Sequence, residues 1–267
     1  MSDAASRLAV MDALREPVLR AAIQALDLSR GSRGLDAGCG IGQPSVLLAE
    51  AVGSGGRVTG LDLSPRLLVK AKDNAEKGSS RAGVSLTAGD IHRLPLASNA
   101  FDWAWSADCV GYAPLEPLPL LRELVRVVKP GGLVAILAWS SETLLPGYPL
   151  LEARLRATAA GVSPFARGKR PELHFPRLLG WLRAAGLVDT TVHTLAGGVH
   201  APLMDDQRDA LVALFQMRWP GVQAELAAGD WAEFRRLCLP ESDEFIVYHA
   251  DYYAFFTYSL FAGRVAG

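Results

Sequence analysis

Gly34-Leu35-Asp36-Ala37-Gly38-Cys39-Gly40-Ile41-Gly42-Gln43-Pro44 decides how the rest of the chain is read. A short apolar run ends in an acid, three alternating glycines follow, and Pro44 stands where a helix would begin. Glycine removes the side chains that would hold a ligand off the main chain, and proline suits a first helical turn, where its missing N–H would be unpaired anyway. The stretch therefore predicts a buried strand, a ligand-bearing turn and a helix, with Leu35 inside the strand. An ordinary strand-to-helix turn also uses positive φ, yet it rarely needs three alternating glycines and an acid at the strand end.

Outward from this stretch, strands and helices alternate. The first strand covers 33–37 and the first helix 44–51. Arg57 to Asp62 is a second strand ending in an acid, and Ser64-Pro65 caps a helix running to about Lys77, where Gly78 is placed to stop it. Strands over 84–88, 101–106 and 133–139 follow, with a helix over 118–128 halted at Lys129-Pro130-Gly131-Gly132. This alternation predicts an α/β fold: a Rossmann-like, seven-stranded, mostly parallel sheet with helices on both faces and ligands beyond the carboxyl ends of the strands. The glycine turn, Asp62, Asp90 and Ser106 all fall at those ends, so four stretches converge on one crevice.

Ahead of the first strand, apolar positions in 4–28 have helical spacing broken by Pro17, which predicts a broken helix or two short ones. After Trp139 the rhythm changes. The organisation expected is N-terminal helices and cofactor-binding core over 1–140, a lid insertion over 141–174, and a core helix and strand over 175–199. A helical lid or substrate insertion over 200–250 and a last core strand over 251–267 complete it.

With 267 residues, half of them hydrophobic, 21% charged and a net charge of −1, the chain can bury the core of one large domain. Balanced charge supplies no field for nucleic acid or an anionic membrane, so neither is expected as a partner. Asp3, Asp12 and Glu16 argue against a secretory signal, and no apolar run approaches the ~20 residues of a spanning helix, so a cytoplasmic location is expected. Cys39, Cys109 and Cys238 are odd in number and far apart, as reduced packing residues would be, and the His/Cys spacings match no metal motif.

The order strand, Asp36-Ala37-Gly38-Cys39-Gly40-Ile41-Gly42, helix, strand, Asp62 resembles the class I S-adenosylmethionine-dependent methyltransferases. A nicotinamide dehydrogenase is the rival, because it too carries an acid about 20 residues on. That rival needs Gly-x-Gly-x-x-Gly, whereas Gln43 stands at the third position and Gly42 comes one residue early. An acid at Asp36 also suits an ammonium and a sulfonium better than a pyrophosphate, which it would repel. Gly89-Asp90-Ile91, Leu94-Pro95-Leu96 with Asn99-Ala100-Phe101-Asp102, and Val127-Val128-Lys129-Pro130-Gly131-Gly132 add further matches, so the resemblance covers about 33–140.

The resemblance is to the small-molecule type shared by quinone-pathway, sterol and natural-product methyltransferases, and it implies S-adenosyl-L-methionine as cofactor. By it, Asp36, Gly38 and Gly40 hold the methionine part, with Cys39 and Gln43 in the same turn. Asp62 takes the ribose diol, Leu63 and Ile91 the adenine faces, Asp90 the adenine amino group, and the main chain near Ser106 the methionine moiety. The reaction implied is in-line attack by O, N or C of a small, partly apolar acceptor on a sulfonium methyl, where placement and exclusion of water carry much of the catalysis.

Asp108 and Tyr112 could face the transferred methyl, or could merely cap and pack. Some small-molecule members of the family place a histidine pair hereabouts, and Gly111-Tyr112 stands there instead. His174 is a further acid or base candidate, and Trp105, Tyr148 and His200 are candidate acceptor contacts. The basic cluster Arg167, Lys169 and Arg170 is a solvated loop or a contact for an acidic substrate. Two alternatives remain: a protein or RNA methyltransferase, and a non-catalytic cofactor binder of the same fold. Balanced charge disfavours the first, as does Ser106-Ala107-Asp108-Cys109 in place of an Asn/Asp-Pro-Pro-Tyr motif. The sequence specifies neither the acceptor nor the oligomeric state.

Overall fold

A computed structural model describes residues 4–77, 83–110, 116–162 and 171–267; Gly78, Gly111, Tyr112, Arg167, Lys169 and Arg170 lie outside the described residues. The strands are β1 (Arg33–Ala37), β2 (Arg57–Asp62), β3 (Val84–Ala88), β4 (Phe101–Ala107), β5 (Val128–Thr143), β6 (Leu187–His200) and β7 (Tyr253–Val265). They form one sheet in the order β3-β2-β1-β4-β5-β7-β6, parallel through β5, with β7 antiparallel to both its neighbours. The chain moves outward from β1 to β3 and then returns to β4 on the other side, so the strand order reverses between β1 and β4. A crevice opens at their carboxyl ends.

Side-chain alternation along the strands sorts the core into two layers. Leu35 and Ala37 of β1 face a layer closed by α4 (Pro117–Val127) and α7 (Leu178–Ala184), which present Leu120, Leu121, Leu124, Leu178 and Leu182. Trp103, Trp105, Ala135 and Leu137 face the other layer, covered by α1 (Ala4–Ala25), α2 (Gln43–Val52), α5 (Pro149–Ala157), α8 (Asp205–Arg218) and α9 (Ala228–Cys238). The long strands β5, β6 and β7 carry the sheet beyond β1 and β4. α3 (Pro65–Lys77) and the short α6 (Ala159–Val162) complete the α-helices of the described residues.

Three expectations need correcting, the first being the fifth strand, which runs over Val128–Thr143 rather than 133–139, so that Lys129 to Gly132 lie within its span. The N-terminal segment is a single helix, with Pro17 inside it, rather than two pieces. Pro17 removes one intrahelical hydrogen bond, at a cost of about 3 kcal/mol, but Met11, Leu14, Val18, Leu19, Ala22 and Ile23 bury one continuous face that offsets it. The sixth strand runs on past Leu195 to His200, because β7 pairs with it over that whole length.

Candidate active site

The glycine turn is held from below by the end of β2. Gly38 and Cys39 N–H groups both donate to the Leu61 carbonyl (2.8 and 3.0 Å), and the Gly42 N–H donates to the Cys39 carbonyl (2.8 Å). Gly40 N–H donates to Asp62 Oδ2 (2.9 Å), while Ser64 N–H donates to Asp62 Oδ1 (2.9 Å). Gly38, Gly40 and Gly42 all have positive φ, +80°, +55° and +82°. At Gly42 a Cβ would stand 2.9 Å from Ala71 Cβ and 3.1 Å from its Cα, so glycine also lets α3 lie against the turn. The Gly38, Cys39, Gly40 and Gly42 amides are thus already spent on β2 or on the turn itself.

Above the turn lies a cavity of about 240 Å³. Its floor is Gly38, Cys39, Gly40 and Gln43, its sides are Asp62 and the end of β4 (Ala107, Asp108, Cys109), and its roof is Leu8, Asp12 and Arg15 of α1. Of the turn residues, Gln43 Nε2 donates to Glu16 Oε2 (2.9 Å), which pins α1 over the floor. Asp90 sits at the end of β3, accepting from His92 N–H (2.9 Å) and lying 2.8 Å from its Nδ1; these bonds hold its carboxyl below the usual carboxylate range. Leu63 is 71% exposed beside Asp62, and Ile91 is buried behind Asp90.

Several candidates lie elsewhere. Asp36 is only 1% exposed and does not reach the cavity wall: its Oδ2 accepts from Ser45 Oγ (2.5 Å), and its Oδ1 is buried with no partner among the described residues. Burial, eased by Ser45 and reinforced by Asp62, pushes its carboxyl up to about 7. Ser106 is buried, its Oγ donating to the Ala37 carbonyl (2.8 Å) and so stapling β4 to β1. Trp105 is fully buried in the core layer, because its alternation on β4 points it under α1 and α2, and it offers no surface to an acceptor. Tyr148 starts α5, where Arg236 donates to its Oη (3.4 Å). His200 is exposed at the end of β6, bonded to the Ala201 carbonyl, and His174 lines a different cavity, of about 330 Å³, with Ser140, Ser141 and Glu142.

Asp108 does line the cavity, yet its oxygens are committed. Oδ2 accepts from Arg15 Nη2 (2.8 Å) and Tyr258 Oη (3.3 Å), and Oδ1 from the Trp139 N–H (3.0 Å). Taking up a substrate proton would break the pair with Arg15. Burial opposes the charge on Arg15, but Tyr258 and Asp108 outweigh it and keep the guanidinium protonated. Arg15 and Tyr258 lie 93 and 150 residues from Asp108 in sequence, and no local signal links them. The other residues missed from sequence, Leu8 and Asp12, belong to the same i, i+4, i+7 stripe of α1 as Arg15, a spacing that marks a helix face but not what the face meets. Neither 141–174 nor 200–250 lines this cavity among the described residues; α1 forms its roof.

The state of Asp36 leads to a pH prediction. Its folded-state pKa is raised, so the folded protein binds more protons than the unfolded chain between about pH 4 and 7, and stability falls as pH rises through that window. In Asp36→Asn that penalty is gone. Relative to wild type, the variant is expected to gain about 2–3 kcal/mol on going from pH 5 to pH 8, measured by denaturant melts at both pH values. A pH-independent difference would show that Asp36 is already ionised when folded.

Comparison with known proteins agrees with this geometry. Residues 35–136 match a family model described as a methyltransferase domain. The chain belongs to the class I S-adenosylmethionine-dependent methyltransferases, and S-adenosylmethionine is its cofactor. It is similar to the demethylmenaquinone methyltransferase of Desulfitobacterium hafniense (strain Y51), 34% identical over 67% of this chain and 75% of the relative. A SAM-dependent methyltransferase from Aquifex aeolicus shares the fold (TM-score 0.52, 22% identity, 72% of this chain and 91% of that one). So does a Haemonchus contortus phosphoethanolamine N-methyltransferase 2 in complex with phosphomonomethylethanolamine and S-adenosylhomocysteine (TM-score 0.52, 20% identity, 93% of this chain and 52% of that one).

The residues present fit that cofactor. A turn stripped of side chains admits a ligand to the main chain, carboxylates at Asp12 and Asp62 suit a cationic ligand, and the β1/β4 switch point is open to it. Cys39 and Cys109 line the cavity as free thiols; burial pushes Cys109 up to about 11, so it is a neutral wall rather than a nucleophile. Among the described residues no helix is long and apolar enough to cross a membrane.

Proposed function

We propose that this methyltransferase acts on O, N or C of a small, partly apolar acceptor, a ring compound of the quinol or phenol class. The observation that carries the proposal is the similarity to demethylmenaquinone methyltransferase across two thirds of the chain, well beyond the cofactor core. The near-neutral charge supports it, since a tRNA or rRNA acceptor would call for a basic surface. In this proposal Asp62 receives the ribose diol, Leu63 and Ile91 flank adenine, and Asp90 faces its amino group. The glycine turn and the end of β4 hold the methionine part.

The cofactor supplies a sulfonium methyl whose transfer discharges a positive centre. A strongly anionic site would therefore bind the ground state better than the transition state. This chain moderates the field: Arg15 compensates Asp108, and burial holds a proton on Asp36 up to about pH 7. The remaining protein contributions are alignment of the acceptor and exclusion of water under α1. The test is incubation with methyl-labelled cofactor and a panel of quinols, phenols and amines, beside tRNA and protein extract. Label in an apolar ring compound is expected; label only in macromolecules would refute the proposal.

A further inference from the structure

The acid that sequence position assigns to the methionine ammonium, Asp36, is turned away from the cavity, and the wall acid above the turn comes from α1 instead. Asp12 lies over Gly38 and Gly40, half-buried, with no hydrogen bond among the described residues. Three residues on, Arg15 uses Nε for Tyr258 Oη (3.1 Å) and Nη2 for Asp108, which leaves Nη1 without a protein acceptor among the described residues. A carboxylate and a guanidinium nitrogen thus stand side by side on one helix face, both lining the cavity.

The amino-acid end of the cofactor is a zwitterion whose ammonium and carboxylate are borne by the same carbon. We propose that α1 binds this end directly, Asp12 accepting from the ammonium and Arg15 Nη1 donating to the carboxylate. The assignment rests on the cavity being the cofactor site. Tyr258 and Asp108 orient the guanidinium, so Arg15 is held in place before the ligand arrives. Burial lifts the Asp12 carboxyl to about 6, against the pull of Arg15 and with a push from Glu16; an ammonium gives the desolvated carboxylate the partner it lacks.

Calorimetry on the full chain tests this with four ligands: S-adenosylmethionine, S-adenosylhomocysteine, decarboxylated S-adenosylmethionine, and 5′-methylthioadenosine, which lacks the amino-acid end. Asp12→Asn is expected to weaken S-adenosylhomocysteine by roughly ten- to hundred-fold and to leave methylthioadenosine within about threefold. On the unaltered enzyme, decarboxylated S-adenosylmethionine is expected to bind at least about tenfold more weakly than S-adenosylmethionine, a readout that needs no variant of Arg15. Equal loss for both nucleosides in Asp12→Asn, or no loss for either, overturns the Asp12 assignment while leaving the cofactor site in place. Full affinity of the decarboxylated compound overturns the Arg15 assignment. Failure of every nucleoside to bind the unaltered enzyme removes the site itself.

Discussion

Asp62→Ala is expected to lower affinity for S-adenosylmethionine by about 100-fold or more, with the fold intact by circular dichroism. The size follows from two jobs done by one carboxylate. Its oxygens already hold the Gly40 and Ser64 amides, which joins the glycine turn to the start of α3. Each oxygen keeps a further lone pair for the ribose hydroxyls, in bonds to a charged acceptor worth about 1.5–3 kcal/mol each. In the proposed binding mode, removing the side chain loses those bonds and frees the Gly40 and Ser64 amides that hold the floor of the cavity. Asp62→Asn keeps one acceptor and sets an NH₂ against one of the amides, so an intermediate loss is expected. Equilibrium dialysis with labelled cofactor provides the measurement, and affinity within threefold of wild type would remove Asp62 from the site.

Gly34→Ala is the second large effect, and it falls on stability. Gly34 of β1 stands opposite Trp103 of β4, and the indole lies so close over it that a Cβ would come within 2.1 Å of the ring. Trp103 is buried, and its Nε1 donates to Ser32 Oγ (2.9 Å), so the ring cannot swing aside without losing both packing and a buried hydrogen bond. A methyl at Gly34 evicts the indole, a disruption comparable to deleting a core tryptophan, about 3–5 kcal/mol. For a chain of this length that corresponds to a melting point lower by roughly 10 °C. Adding Trp103→Leu is expected to recover part of the loss, because the two changes share one space and cannot be additive. A Gly34→Ala protein melting within two degrees of wild type would mean that the ring relocates freely.

These two positions lie in stretches whose local reading was sound. β1, β2 and β3 have the bounds that alternation predicts, α3 begins at Pro65 after Ser64, and the turn falls at Gly38 to Gly42. Each rests on residues close in sequence, where proline, glycine and apolar spacing act directly on the backbone. Asp36 shows where local reading stops. Its place at a strand end was legible, but the facing of its carboxylate depended on α2 supplying Ser45 beneath the turn and on α1 closing the layer above.

Asp108 repeats the lesson. Its position after β4 was legible, whereas its commitment to Arg15 and Tyr258 depended on α1 and β7 arriving from opposite ends of the chain. The lining of the cavity follows the same rule: Leu8, Asp12 and Arg15 of α1 reach it, whereas among the described residues none of 141–174 or 200–250 does, because the helices there pack with α1 in the core layer.

By itself the sequence determined the α/β platform, the glycine turn and the acids that follow successive strands, because glycine conformation and apolar periodicity are properties of neighbours. The tertiary structure alone decided which acids face the ligand, which are neutralised, and which helix closes over them. Those outcomes depend largely on contacts such as Arg15 to Asp108 and Asp108 to Tyr258, 93 and 150 residues apart, and no local pattern encodes such distances.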